Sequence, residues 1–298
     1  MSVKLGTVAA IGFKEFPPQE WLACFRQLGC TVVQAYRNQA ARVSIQEMTD
    51  AIAAGGMPCD SLHGVFGEEF DPSATLEDAR RFAVDTYRAE GELCLKLGGR
   101  VVIVHCSPIR PVGVSAPERL RRLEQLKKSF RELGQAGQRM GVQYAFENLP
   151  SYFAIGSDLL ELSGLLEQAV APNTGICFDA GHANMVGDAA DLVPQAGGRI
   201  LYVHLSDNDK KADHPHLPGY GTMDTRAFAR SLAMARYDGT LMLEVFYPVD
   251  RLQQVIAEGC AEKLAEILRI ANSDVATEAI APPATENSPD ADEPPSLQ

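Results

Sequence analysis

Residues 142–150 (VQYAFENLP), 173–184 (NTGICFDAGHAN) and 199–208 (RILYVHLSDN) decide how this chain folds. Each is a short apolar or β-branched run that ends on a group able to hold a charge: Glu147, Asp179 and His204. A run of that length bounded by turn residues reads as a buried strand, and a helical stretch separates each from the next. Outward from these three, the alternation continues in both directions. Strands are expected near 4–10, 31–36, 57–63, 100–106, 142–148, 174–179, 200–206 and 240–246. Helices are expected over 17–28, 44–54, 75–97, 116–140, 157–168, 189–195, 225–236 and 249–270. Gly29, Gly55, Gly98 and Gly141 stand where helices should end before a strand, as left-handed C-caps.

Eight strand–helix units in a chain of 298 residues predict an α/β fold, a single (β/α)8 TIM barrel over residues 1–271. A doubly wound open sheet would need a Gly-rich phosphate loop after its first strand, and none is there. Residues 272–298 carry six acids, five prolines and no Lys or Arg, the composition of a disordered acidic tail. That tail supplies half of the net charge of −12, so the folded part is acidic too, with no invitation to a nucleic-acid backbone. The opening MSVKLGTVAAIGF reads as a first strand rather than a signal peptide, and no run approaches the ~20 apolar residues of a membrane span. Seven scattered cysteines without a CxxC pair suit reduced thiols and a cytoplasmic location.

The polar strand ends carry the chemistry. In a barrel, residues at the C-terminal ends of strands face the active site. Glu147 and Glu244 end the fifth and eighth strands after apolar triplets, and a carboxylate in that setting is costly unless paired. With Asp179 and His204 they make a carboxylate–imidazole set suited to one divalent ion: Mn²⁺, Co²⁺ or Mg²⁺, with Zn²⁺ also possible. A buried ion-pair network is the alternative for these four. His182 follows Asp179 by three residues, with Gly181 allowing a tight turn that aims the ring at the same cavity. His63 and His105 end strands three and four and can bind substrate hydroxyls, bind a second metal, or simply hydrogen-bond in the mouth. The polar loop after strand seven offers Lys210 near a substrate oxygen, with Asp213, His214 and His216 able to close over the metal. Trp21 reads as packing. Cys106 beside His105 is no catalytic dyad, because neighbours on a strand point to opposite faces.

The series ENLP, FDAGHAN, HLSDN, PGYG and LEVF resembles the xylose-isomerase-like TIM-barrel superfamily over residues 1–270. That superfamily holds sugar isomerases and epimerases, dehydratases and the endonuclease IV-type AP endonucleases. The resemblance implies a single ion held by Glu147, Asp179, His204 and Glu244, with Glu147 and Glu244 also the catalytic acid/base pair. It implies substrate contacts from His182 and Lys210, and a possible homo-oligomer. The expected activity is isomerisation or epimerisation of a sugar, keto-sugar or cyclitol, by proton abstraction beside a carbonyl through a metal-stabilised enediolate. His63, His105 and His216 complete the expected substrate contacts. Dehydration of a keto-sugar or inosose in the same site is one alternative. A polyzinc phosphodiesterase is the other, since candidates for most of that larger ligand set are present. Against it stand the acidic balance, the spelling DHPHLPG where the endonucleases have an Asp-x-His-His run, and only two arginines after strand two. One departure from many sugar isomerases is the second strand, Val33-Gln34-Ala35-Tyr36, which lacks their glutamate; Gln34, Tyr36 and Arg37 become candidates for recognition.

Overall fold

Eight parallel strands run in chain order around a closed barrel in the computed structural model, which describes residues 2–109 and 114–274. They are β1 (Lys4–Ile11), β2 (Val32–Arg37), β3 (Cys59–His63), β4 (Val101–His105), β5 (Gln143–Glu147), β6 (Thr174–Asp179), β7 (Ile200–Leu205) and β8 (Thr240–Leu243). β8 closes on β1 from Lys4 opposite Thr240 to Thr7 opposite Leu243. The helices outside are α1 (Pro18–Gln27), α2 (Ile45–Gly55), α3 (Glu77–Lys96), α4 (Ala116–Met140), α5 (Leu159–Ala169), α6 (Ala180–Val186), α7 (Ala189–Leu192), α8 (Thr225–Met234), α9 (Val249–Ala257) and α10 (Cys260–Ala271). No described helix is long and apolar enough to cross a membrane, and all seven cysteines are buried and unpaired.

Local chemistry starts these helices where the barrel needs them. Ser44 and Glu47 form a reciprocal capping box on α2, while Ser115, Asp158 and Asp224 accept backbone N–H groups at the starts of α4, α5 and α8. The expected C-cap at Gly55 falls one residue later: Gly56 takes the left-handed conformation (φ 64°), while Gly55 ends α2 buried against Leu22. The expected continuous helix over 249–270 is two, α9 and α10, broken at Gly259 with φ 82°. Asn272, just after α10, accepts from Val3 N and donates to Val3 O (2.7 and 3.1 Å), fastening the end of the barrel to its start. The rest of the expected acidic tail, from 275 on, lies outside the described residues.

The strands face two ways. Their outer side chains, such as Phe146 and Phe178, join the main core under the helices. A second, smaller cluster of Val32, Ile103, Ala145, Cys177, Tyr202 and Met242 fills the barrel itself. Gly6 sits in that layer because a Cβ there would lie 2.6 Å from Met242 Cε. Side chains alternate with period two, so the next inward position on each strand is Gln34, His105, Glu147, Asp179, His204 and Glu244. The apolar plug forms a floor, and the polar ring lies directly above it.

Candidate active site

Buried polarity of this kind has to be satisfied locally. His204, fully buried, points Nδ1 at Glu147 Oε1 (2.8 Å) and Glu244 Oε2 (2.7 Å). Asp179 Oδ2 lies 3.8 Å from the same nitrogen. One donor atom from each of Glu147, Asp179, His204 and Glu244 falls within 4.8 Å of the others. Glu244 stands just past the end of β8, where the chain turns into the loop before α9. Asp179 is held by its neighbours: its side chain caps α6 by accepting His182 N (2.7 Å), and its backbone is clamped both ways by the Asn148 amide (2.8 and 3.0 Å). The motif FDAGH therefore opens a helix instead of the tight turn expected at Gly181. That glycine is required by contact, since a Cβ there would strike Ser206 Oγ.

Electrostatics sharpen the picture. Burial drives Glu147 up, but the His204 and His105 imidazoles outweigh it and hold the carboxyl well below its usual range. Glu244 is likewise pushed up by burial and brought down by His204. Burial and the neighbouring Glu147 carry Asp179 to about 7, against the pull of His182. Three carboxylates around one imidazole are thus more than that ring can neutralise. Glu147 Oε2 makes the same point in geometry: it is buried with no hydrogen bond of its own, and its close neighbour is an imidazole nitrogen, His105 Nε2, at 2.9 Å. An orphaned carboxylate oxygen within a set of three carboxylates and one imidazole fits a divalent cation. His63, His105 and Glu147 form a second group within reach of a common ion.

The remaining expected residues divide. His63, His105, His182 and Asp213 line a cavity of about 230 Å³ above the ring, together with Tyr36, Phe66, Ser206, Pro215 and Phe246. His182 Nδ1–H donates to Asn148 O (2.8 Å), and Nε2 reaches Asp213 (3.4 Å). Burial lowers His182 but Asp179 and Asp213 more than reverse it, to about 10. His63, fully buried, is brought down to about 4 by burial. Lys210 and His216 are not brought to the cavity. Lys210 Nζ donates to Gly187 O (3.1 Å), and His216 pairs with the Tyr247 hydroxyl (3.0 Å). The loop carrying them is pinned by Asp207, whose carboxylate accepts the backbone N–H groups of Asn208, Gly219, Gly221 and Met223. Cys106 donates to Glu147 O, and burial pushes its thiol far up, so it is no nucleophile. Trp21 packs on Phe16 and Phe25 and donates to Tyr247 O.

An adjoining cavity of about 260 Å³ shares Phe66, His105, His182 and Asp213 and is otherwise walled by Phe70, Leu149, Pro150 and Phe153 among others. This apolar half escaped sequence reading, because apolar residues in loops carry no signal of their own. Asn148, beside Glu147 in ENLP, was legible as a polar residue next to a candidate ligand, but its clamp on Asp179 was not.

Fold and site together define a (β/α)8 barrel with carboxylates and imidazoles gathered at its mouth. The chain matches the profile of the xylose isomerase-like TIM barrel family over residues 22–288, and it belongs to that family. An uncharacterized protein of Methanocaldococcus jannaschii is 26% identical over 219 residues, 72% of each chain. Among solved structures, a D-tagatose 3-epimerase-like protein superposes with a TM-score of 0.73 at 21% identity, covering 92% of this chain and 100% of that one. An L-ribulose 3-epimerase gives 0.73 at 19% identity, covering 95% and 100%. At these identities the likeness is one of fold.

Proposed function

We propose that this protein is a divalent-metal-dependent epimerase or isomerase acting on an unphosphorylated sugar or keto-sugar. The observation that carries the reading is the convergence of Glu147 and Glu244 on His204, with Asp179 completing the set, at the floor of a cavity large enough for a small polyol. Glu147, Asp179, His204 and Glu244 would hold the ion. When bound, a divalent ion polarises a carbonyl and its neighbouring hydroxyl and makes the intervening C–H acidic. Glu147 and Glu244 approach from different strands, so one takes the proton from that carbon and the other returns one to the opposite face or the adjacent carbon. The first outcome is epimerisation and the second isomerisation. His182 and Asp213 orient hydroxyls at one side of the cavity. Phe66, Tyr36 and Phe246 offer flat faces to the C–H side of a sugar ring, and the described lining of both cavities contains no Lys or Arg to cradle a phosphate. The epimerases that share the fold support the sugar class.

One observation favours a second reading. His63, His105 and Glu147 form their own potential ion group and would hold a second ion, the larger complement that a polyzinc phosphodiesterase needs. The experiment that decides is deuterium wash-in from D₂O, followed by NMR across a panel of ketoses, keto-glycosides and cyclitol ketones. Exchange at a carbon beside the carbonyl, abolished in Glu147→Gln and Glu244→Gln, supports the proposal. No exchange in any substrate, with hydrolysis of a simple phosphodiester, overturns it.

A further inference from the structure

His204 presents two nitrogens to two different environments, and only one arrangement of its proton suits an ion. Nδ1 faces the Glu147 and Glu244 carboxylates, so holding a cation there requires a bare Nδ1 and places the ring proton on Nε2. On the Nε2 side stands Gln34, fully buried in β2, with its amide nitrogen 3.2 Å from His204 Nε2. Its carbonyl oxygen, Oε1, is buried and has no hydrogen-bond partner. A half-turn of the amide about its last side-chain bond exchanges the two atoms. The orphan oxygen then accepts the Nε2–H, and the donor-to-donor confrontation disappears. Ser61 Oγ, 3.3 Å from the same amide atom, then turns its one proton from Asp60 to that oxygen, while Asp60 keeps the Tyr202 hydroxyl as donor (2.8 Å). Ser61 Oγ also lies 2.6 Å from the hydroxyl of Tyr202, a residue of the barrel floor.

We propose that Gln34 is the positioning residue of the metal centre: its side-chain carbonyl accepts the His204 Nε2–H, fixing the ring with a bare Nδ1 aimed between Glu147 and Glu244. The inference rests on the metal reading above and extends it to a residue that touches neither ion nor substrate. Gln34 lies on the second strand, where this chain departs from many sugar isomerases by lacking their glutamate, and its amide reaches His204 instead. In the converse orientation the amide N–H₂ donates to Nε2, the proton moves to Nδ1, and the carboxylates bind that proton in place of a cation. The amide orientation and metal occupancy are therefore coupled.

The test compares wild type, Gln34→Leu and Gln34→Glu by calorimetric titration of Zn²⁺ into chelator-stripped full-length protein, alongside ¹⁵N NMR of the histidine rings in the zinc-loaded state. Circular dichroism and thermal melts check that each variant folds. Loss of an outer partner of a ligating histidine costs about 10–100-fold in affinity. Gln34→Leu should weaken zinc binding by that factor, and Gln34→Glu, which keeps an acceptor, should bind at least as tightly as wild type. In loaded wild type the His204 proton should reside on Nε2, and in Gln34→Leu that resonance should broaden or vanish through exchange. Equal affinity of wild type and Gln34→Leu overturns the proposal while the metal reading stands, and so does a loss in Gln34→Glu as large as in Gln34→Leu. Absence of zinc binding by wild type overturns both.

Discussion

Asp207 should be the main anchor of the loop that closes the candidate site, and replacing it should cost more than a surface acid ever does. Its buried carboxylate accepts four backbone N–H groups: Oδ1 takes Asn208 (2.8 Å) and Met223 (3.0 Å), and Oδ2 takes Gly219 (3.1 Å) and Gly221 (2.9 Å). This explains the PGYG sequence. Gly219 adopts φ 83°, and a Cβ on Gly221 would strike the Asp207 carboxylate. In Asp207→Ala the Asn208 and Met223 donors stay buried without a partner, at about 1–3 kcal/mol each, so about 2–6 kcal/mol is lost from that pair alone. Asp207→Asn keeps one acceptor oxygen and can serve the buried pair, leaving the solvent-side glycines to rehydrate. It should lose about 1–3 kcal/mol, the net worth of two ordinary hydrogen bonds. The assay is urea unfolding followed by tryptophan fluorescence, with hydrogen exchange of residues 207–223 to localise the effect. Asp207→Ala within about 1 kcal/mol of wild type, or Asp207→Asn worse than Asp207→Ala, would refute the reasoning.

Gly91, inside α3, would place a new Cβ 2.5 Å from the Tyr144 hydroxyl oxygen and 3.0 Å from Met140 Cε. Gly91→Ala should therefore lower stability by about 1–3 kcal/mol despite better helix propensity, measured by thermal melting, and a stabilised variant would contradict the packing. Glu77 is held at about 2 by hydrogen bonds from Arg80 and Gln125. Against about 4.3 in the unfolded chain, that stabilisation is present above the unfolded value and lost as pH falls through about 2. Glu77→Gln should be less stable than wild type at neutral pH, with the gap closing in acid; a gap independent of pH speaks against the pairing. A divalent ion that binds only the folded chain should raise its unfolding free energy by about 2.7 kcal/mol at a hundred times its Kd, reversed by chelator in thermal melts. An unmoved melting temperature would deny the ion a folded-state site.

Much of the fold could be read from the chain because its strands obey two rules at once. They are short apolar runs, and in the fifth to eighth strands the inward period-two positions turn ionisable at the C-terminal ends, as in Ala145–Glu147 and Tyr202–His204. The same rule brought Glu147, Asp179, His204 and Glu244 together before any coordinates. Loops obey no such period. The local cluster DHPH could not disclose that Asp213 and Pro215 face the cavity while His216 turns to Tyr247. Lys210 similarly looked available until its φ of 67° and its bond to Gly187 O placed it elsewhere. Gly259 lay within a helical pattern, and only its left-handed backbone distinguishes a break from a tolerated interior glycine. Gln34 was visible as a polar residue in a buried strand, but its partner lies 170 positions away, across the barrel.

The most direct test of the account is the metal content of protein purified without chelator, measured by elemental analysis on wild type, Glu244→Gln and His105→Ala. The account predicts one divalent ion per chain, lost in Glu244→Gln and kept in His105→Ala. No bound ion in wild type after loading with Mn²⁺, Co²⁺, Mg²⁺ or Zn²⁺ would contradict it. Two or more zinc ions, with part of that complement missing in His105→Ala, would contradict the single-ion site in favour of the polyzinc reading.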